Sequence, residues 1–152
     1  VTAAGSVSHV PWAFWDVLPT LVDMAHATLP AGAAIDGRSI VPALRGEAQK
    51  AGKYMYWTWR GTSTRPEDDQ PYSHAADGKG TPGYSVRVGD WKGVVHACAK
   101  GGVPSDDDEM ELYSLSTDPA EKTDVAKQHA DVVKQIKTTL AGEGLSCGCY
   151  QC

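Results

Sequence analysis

Five sets of side chains in this 152-residue chain could do chemistry. Ser8, His9 and Asp16 supply the residue types of a nucleophilic triad. A triad is defined by mutual geometry that order along a chain does not provide, so a loop followed by a helix cap is the preferred reading. Asp68-Asp69 and Asp106-Asp107-Asp108 offer carboxylates to a hard cation, although such runs are more often solvated turns than cation cages. Arg60, Arg65, His74 and Lys79 share one stretch, where they can donate to the oxygens of an anion or to a sugar hydroxyl at the rim of a pocket; the competing reading is a solvated loop. Trp57 and Trp59 can stack on a sugar or aromatic ring, yet aromatics within a strand are more often core, the reading favoured for Trp57 and left open for Trp59. The last set is Cys98 with the tail Cys147-Gly148-Cys149-Tyr150-Gln151-Cys152. Four cysteines nominally suffice for a soft metal, but Cys-x-Cys-x-x-Cys lacks the paired Cys-x-x-Cys knuckles of common zinc sites.

The composition bounds what can position these groups. A chain of this length buries enough surface to fold as a unit, and its five Trp and six Tyr provide large apolar areas, so a globular reading holds over a disordered one. The net charge of -5 comes with Lys and Arg scattered among acids, which argues against a nucleic-acid surface. No apolar run approaches the roughly 20 residues of a bilayer-spanning helix, and the start of the chain lacks the basic flank and apolar core of a signal peptide. Val1 in place of Met reads as a cut end. Asn is absent, so N-linked glycosylation is ruled out within these residues.

The elements follow from pattern. Asp16 can cap a helix in which Pro19 is tolerated in the first turn and Val17, Leu18, Leu21, Val22 and Met24 recur at helical spacing, so one face of it should be buried. The Asp36-Gly37 turn leads to Ser39 as N-cap of a short helix over 40–44. Residues 54–59 read as a strand with bulky groups on both faces, a candidate central strand. Residues 60–83 lack periodicity and read as a long surface loop. Apolar runs at 84–88, 91–97 and 110–115 follow, the first two joined at Gly89-Asp90 as a hairpin. A terminal helix over 129–141 turns Lys134 and Lys137 to water. The sum is an α+β fold, a small antiparallel sheet of about four strands packed on helices.

Several phrases occur in a telling order: Asp16-Val17-Leu18-Pro19-Thr20-Leu21, Asp36-Gly37-Arg38-Ser39, Tyr56-Trp57, Arg87-Val88-Gly89-Asp90-Trp91-Lys92, and Glu111-Leu112-Tyr113 with Asp118-Pro119-Ala120-Glu121-Lys122. Together they resemble the C-terminal part of a sulfatase, of the arylsulfatase-like kind within the alkaline phosphatase superfamily. The resemblance covers about 8–140 and implies a helical segment at 1–50 joining a catalytic domain to a C-terminal subdomain at 51–142, with a Cys-rich tail at 143–152. It further implies a parent enzyme that hydrolyses sulfate esters with a formylglycine, made from Cys or Ser, beside a calcium ion. It makes the catalytic domain the natural partner, and a sulfated small molecule or sugar the natural ligand at a rim formed by Trp59, Arg60, Arg65 and His74. Sulfatases usually act in secretory, lysosomal or periplasmic compartments, where disulfides among Cys98, Cys147, Cys149 and Cys152 are the natural state, with pairing left open.

The departure from the family is equally definite. Its nucleophile lies in Cys/Ser-x-Pro-x-Arg, which occurs nowhere in this chain, and no Asp pair sits at an N-terminal strand end for calcium. No catalytic residue and no metal ligand is therefore assigned. The chain is expected to be inactive alone, to pack on the catalytic domain, and to associate or dissolve poorly without it. The alternative is a stand-alone non-catalytic binding or structural module with the same fold.

Overall fold

The computed structural model describes residues 4–49, 52–61, 81–98, 104–141, 143 and 145. The chain divides into two compact units, Val1–Lys53 and Tyr54–Cys152. The first holds a 3-10 turn at Phe14–Asp16, helix α1 (Val17–Met24) and helix α2 (Val41–Leu44). The second holds strands β1 (Met55–Gly61), β2 (Thr81–Val88), β3 (Trp91–Val95) and β4 (Glu111–Ser114), followed by helix α3 (Ala130–Ala141).

The sheet is antiparallel throughout, in the order β1-β2-β3-β4. Gly89 makes the β2-β3 turn with φ +60°, a conformation that costs glycine nothing. Register places Val86 beside Gly93 and Gly93 beside Leu112. A side chain at Gly93 would meet Met110 Sδ at 2.7 Å, so this glycine admits Met110 to the core. Tyr84, Val86, Val95, Met110, Leu112, Ile136 and Leu140 form that core, to which α3 contributes a pair at i, i+4 spacing.

Three expectations are corrected. β1 is an edge strand, not a central one, because its described neighbour is β2 alone. Trp57 is 37% exposed and not core: it stands opposite Ser85, on the face away from Tyr56, whose ring lies 5.5 Å from that of Tyr84. The third concerns Asp108 and Lys137, assigned to water on the basis of charge. Asp108 is buried. Its Oδ2 accepts from Tyr84 Oη at 3.1 Å and from the Ser105 amide at 2.9 Å. Lys137 Nζ donates to the carbonyls of Asp106 and Asp108 at 2.8 and 2.6 Å, so this lysine pins the turn before β4 to α3.

The outer edge of β4 is closed by the chain that follows it. Asp124 Oδ1 accepts from the Leu112 amide, and the Val125 amide donates to the Leu112 carbonyl, both at 2.9 Å. An edge satisfied in this way cannot template a further strand.

Burial first, and the nearby Asp108 second, push the Tyr56 and Tyr84 hydroxyls well above their ordinary value of 10.0. The unfolded chain gives up these protons from about pH 10, before the folded sheet does. Their stabilising contribution is complete below that pH and is lost as pH rises above it. Urea unfolding followed by Trp fluorescence should show stability of the second unit falling from pH 10 upward. Tyr84→Phe should cost about 1–3 kcal/mol at pH 7, by leaving Asp108 short of a donor, and should flatten the alkaline slope. An unchanged slope would count against the assignment.

Candidate functional site

The residues that carry chemistry gather in two hydrogen-bonded knots. In the first, the carboxylate of Asp16, 4% exposed, accepts from the Ala13 amide through Oδ2 and from the Arg38 amide through Oδ1, each at 2.9 Å. Thr20 Oγ1 donates to the Asp16 carbonyl at 2.5 Å and accepts from the Ile40 amide at 3.1 Å. Ser39 Oγ donates to Asp23 Oδ2 at 2.5 Å and accepts from the Val41 amide at 3.2 Å. Gly37 lies so close to the 3-10 turn that a Cβ there would come within 1.9 Å of the Trp15 carbonyl oxygen. Residues 16–23 and 36–41 therefore interlock. Asp16, expected to cap its own helix, instead joins the segment before the helix to the turn after it. With both oxygens held by amides, it is poorly disposed to act as a base. Ser8 and His9 are exposed, and Ser8 Oγ accepts from the Val10 amide at 3.3 Å.

The second knot lies on the sheet. Lys92 Nζ reaches both carboxylate oxygens of Glu121 at 2.7 and 2.6 Å. Glu121 sits at φ +53°, on a turn stabilised by Asp118 Oδ2, which accepts from the Lys122 and Thr123 amides at 2.8 Å. Nearby in the strand order, His96 Nε2 lies 3.1 Å from Glu111 Oε2, which also accepts from Tyr113 Oη at 2.8 Å. Burial, followed by this hydrogen bond, raises the Tyr113 hydroxyl above its usual range. The sequence reading missed this His–Glu–Tyr cluster. Its one available signal was the alternation of Glu111 and Tyr113 along a strand, which puts both on one face.

Of the rim candidates, Trp59 alone has a described side chain. Trp59 is half-buried and pairs across the sheet with Gly83, where a Cβ would stand 2.8 Å from its indole nitrogen. The ring therefore lies against its own sheet. Arg60 belongs to β1, and its side chain, like Arg65, His74 and Asp68-Asp69, lies outside the described residues. Cys147, Cys149 and Cys152 also lie outside them, whereas Cys98 packs partly against the core. A cavity of about 200 Å³ is lined by Pro104, Ser105, Asp106, Lys137 and Ala141; its lysine is already engaged by two carbonyls. Among the described residues, no group of three or more His, Cys, Asp or Glu could hold a metal ion, and no helix is long and apolar enough to cross a membrane.

No protein-family model matches the chain. Comparison with curated proteins finds 34% identity over 113 residues with a Δ4,5-hexuronate-2-O-sulfatase of Bacteroides thetaiotaomicron, covering 74% of this chain and 19% of that protein. The mouse steryl-sulfatase is 45% identical over 47 residues, 31% of this chain and 8% of that protein. Among solved structures, a candidate sulfatase from Bacteroides thetaiotaomicron superimposes with a TM-score of 0.57 at 28% identity, and a 2-O GAG sulfatase with 0.55 at 29%. Each match covers 82% of this chain and 23% of the other. The chain thus spans no more than about a fifth of the curated relatives it matches.

If the first knot is structural, Asp16→Ala should cost about 1–3 kcal/mol for each amide left without a partner. Amide exchange at Ala13 and Arg38 should accelerate strongly while Leu112 in the second unit is unaffected. Gly37→Ala should reproduce the effect by steric conflict. Unchanged exchange in both variants would refute the assignment.

Proposed function

Because the chain is sulfatase-like in sequence and fold, we propose that it is the non-catalytic C-terminal segment of a longer protein that hydrolyses sulfate esters. The observation that carries this reading is the asymmetry of coverage: similarity runs through 74% of this chain but reaches 19% of the relative. The nucleophile motif of the family is absent from the sequence. The calcium and formylglycine that the family implies do not fit the residues described. Asp16 is saturated by backbone amides, and Asp108 is buried on Tyr84 and Ser105. No step of hydrolysis is therefore derived from this chain, and its role is to pack on the catalytic domain and shape one wall of its pocket.

Within that role, Trp59, Arg60, Arg65 and His74 form part of the substrate rim, facing a sulfated sugar or other small sulfate ester. The reading is supported by β1, which carries Trp59 and Arg60 to the start of the stretch holding Arg65 and His74. Cationic donors of this kind suit sulfate oxygens. Peptide mapping of the protein from its source should find a polypeptide bearing a formylglycine peptide upstream of Val1. That protein should cleave an aryl sulfate, while the 152-residue chain does not. Arg65→Ala and His74→Ala in the longer protein should raise KM with kcat little changed, as expected when contacts are equally strong in ground and transition states. A native N-terminus at Val1 with no larger partner would favour the stand-alone module.

A disulfide from Cys98 to the tail belongs to the same proposal, as does an oxidising compartment: secretory, lysosomal or periplasmic. It is supported by the position of Cys98 beside the core. The only other cysteines are Cys147, Cys149 and Cys152. Closing a loop of about 50 residues should stabilise the fold by about 4 kcal/mol. A mild reductant should therefore lower the urea midpoint of the second unit markedly, and Cys98→Ser should abolish the difference. A midpoint insensitive to reductant would exclude a stabilising bridge.

A further inference from the structure

We propose that Asp36-Gly37 is a site of spontaneous aspartate isomerisation, which the Asp16 knot keeps silent and which, once reacted, prevents the knot from closing again. The chain has two Asp-Gly steps, here and at Asp77-Gly78. Such a step is chemically labile because glycine, without a Cβ, leaves its amide nitrogen open to the preceding side chain. The Gly37 nitrogen attacks the Asp36 carboxyl carbon, a C–N bond forms, and the carboxyl hydroxyl leaves as water with the amide proton. Water then adds to the main-chain carbonyl of the resulting cyclic imide and breaks the original peptide bond. The chain now runs through the Asp36 side chain, its α-carboxylate is free, and mass and charge are unchanged. Asp36 is exposed, so water has access for the second step.

Closure of the imide requires the peptide plane between Asp36 and Gly37 to rotate toward the Asp36 carboxyl, and the knot opposes that rotation. Gly37 is pressed against the 3-10 turn, where a Cβ would stand 1.9 Å from the Trp15 carbonyl oxygen and 3.0 Å from the Asp16 amide nitrogen. The next amide, that of Arg38, is held at 2.9 Å by Asp16 Oδ1. Beyond it the Ile40 amide donates to Thr20 Oγ1 at 3.1 Å. A labile step fixed on its C-terminal side in this way reacts only from the population in which the unit is open. The product does not fit the closed form. Isomerisation adds one methylene to the main chain and lengthens the path from Asp36 to Arg38 by about 1.5 Å, at a place where the glycine has no clearance. The Arg38 amide is thereby carried off Asp16 Oδ1, and an opening that was reversible becomes permanent.

The 152-residue chain, aged at physiological temperature, digested and labelled with an isoaspartyl methyltransferase, tests both halves of this inference. The peptide spanning Asp36 should gain label at least about tenfold faster in Asp16→Ala than in the wild type, because the reacting population is the open one. The peptide holding Asp77-Gly78 should label at the same rate in both. Thr20→Val keeps the side-chain shape and withdraws only the hydroxyl between the Asp16 carbonyl and the Ile40 amide, so it should give a smaller acceleration at Asp36 alone. The isomerised wild-type form, separated by chromatography, should exchange its Arg38 amide as fast as Asp16→Ala does. Equal labelling at Asp36 in wild type and Asp16→Ala would overturn the silencing, and equal acceleration at Asp36 and Asp77 would overturn it by tracing the effect to general unfolding. Wild-type protection of the Arg38 amide in the isomerised form would overturn the permanent opening.

Discussion

The buried carboxylate of Asp16 is the interaction on which the first unit depends. A carboxylate taken out of water is tolerated only when its oxygens are hydrogen-bonded, and here the two donors come from opposite sides of the helix: the Ala13 amide before it and the Arg38 amide well after it. One side chain thereby fixes the entry to α1 and the return of the chain beneath it. Thr20 and Ser39 extend the same logic by one turn each. α1 has eight residues and α2 four, too short to hold themselves in water, so the knot and the tight approach at Gly37 hold them together with the buried Ile40 and Val41. The consequence is that Asp16 and Thr20 lie inside beside Pro19, while Leu18, Leu21 and Met24 stay exposed.

The second unit is held differently. Its sheet and α3 share an apolar core, and the polar devices serve its margins. Asp108 ties the turn before β4 to Tyr84 inside the sheet, and Lys137 ties the same turn to α3. Asp124 and Val125 close the outer edge of β4. Lys92 and Glu121 join the β2-β3 hairpin to the turn after β4; at roughly a quarter to a third exposed, this pair adds register more than stability.

Much of this was legible in the sequence. The four strands, the Gly89-Asp90 turn and α3 follow from period and turn chemistry, because each depends on neighbours a few residues away. What escaped depends on distant partners. Trp57 and Tyr56 look alike as strand aromatics, and only the register against Ser85 and Val86 decides which faces the core. Asp108 and Lys137 have the composition of a wet surface, and only their partners, Tyr84 and two carbonyls, bring them in. For α1, periodicity predicted a buried apolar face, yet Leu18, Leu21 and Met24 are exposed, because the buried side is set by Asp16, whose partner is 22 residues away.

The phrases through which the chain resembles sulfatases turn out to be partners of one another. Asp16 and Thr20 in one phrase hold Arg38 and Ile40 beside the next, and Lys92 in the hairpin phrase meets Glu121 in the last. Residues that hydrogen-bond to each other across distant phrases carry the fold whatever chemistry accompanies it. This is why a chain without the nucleophile motif is still sulfatase-like, and why the likeness by itself says nothing about which ester is cleaved. Substrate choice depends on contacts at the reacting group, whereas these pairs are occupied with each other. Their contribution is positional: they fix where β1 and the apolar stripe of α1 stand within their own units.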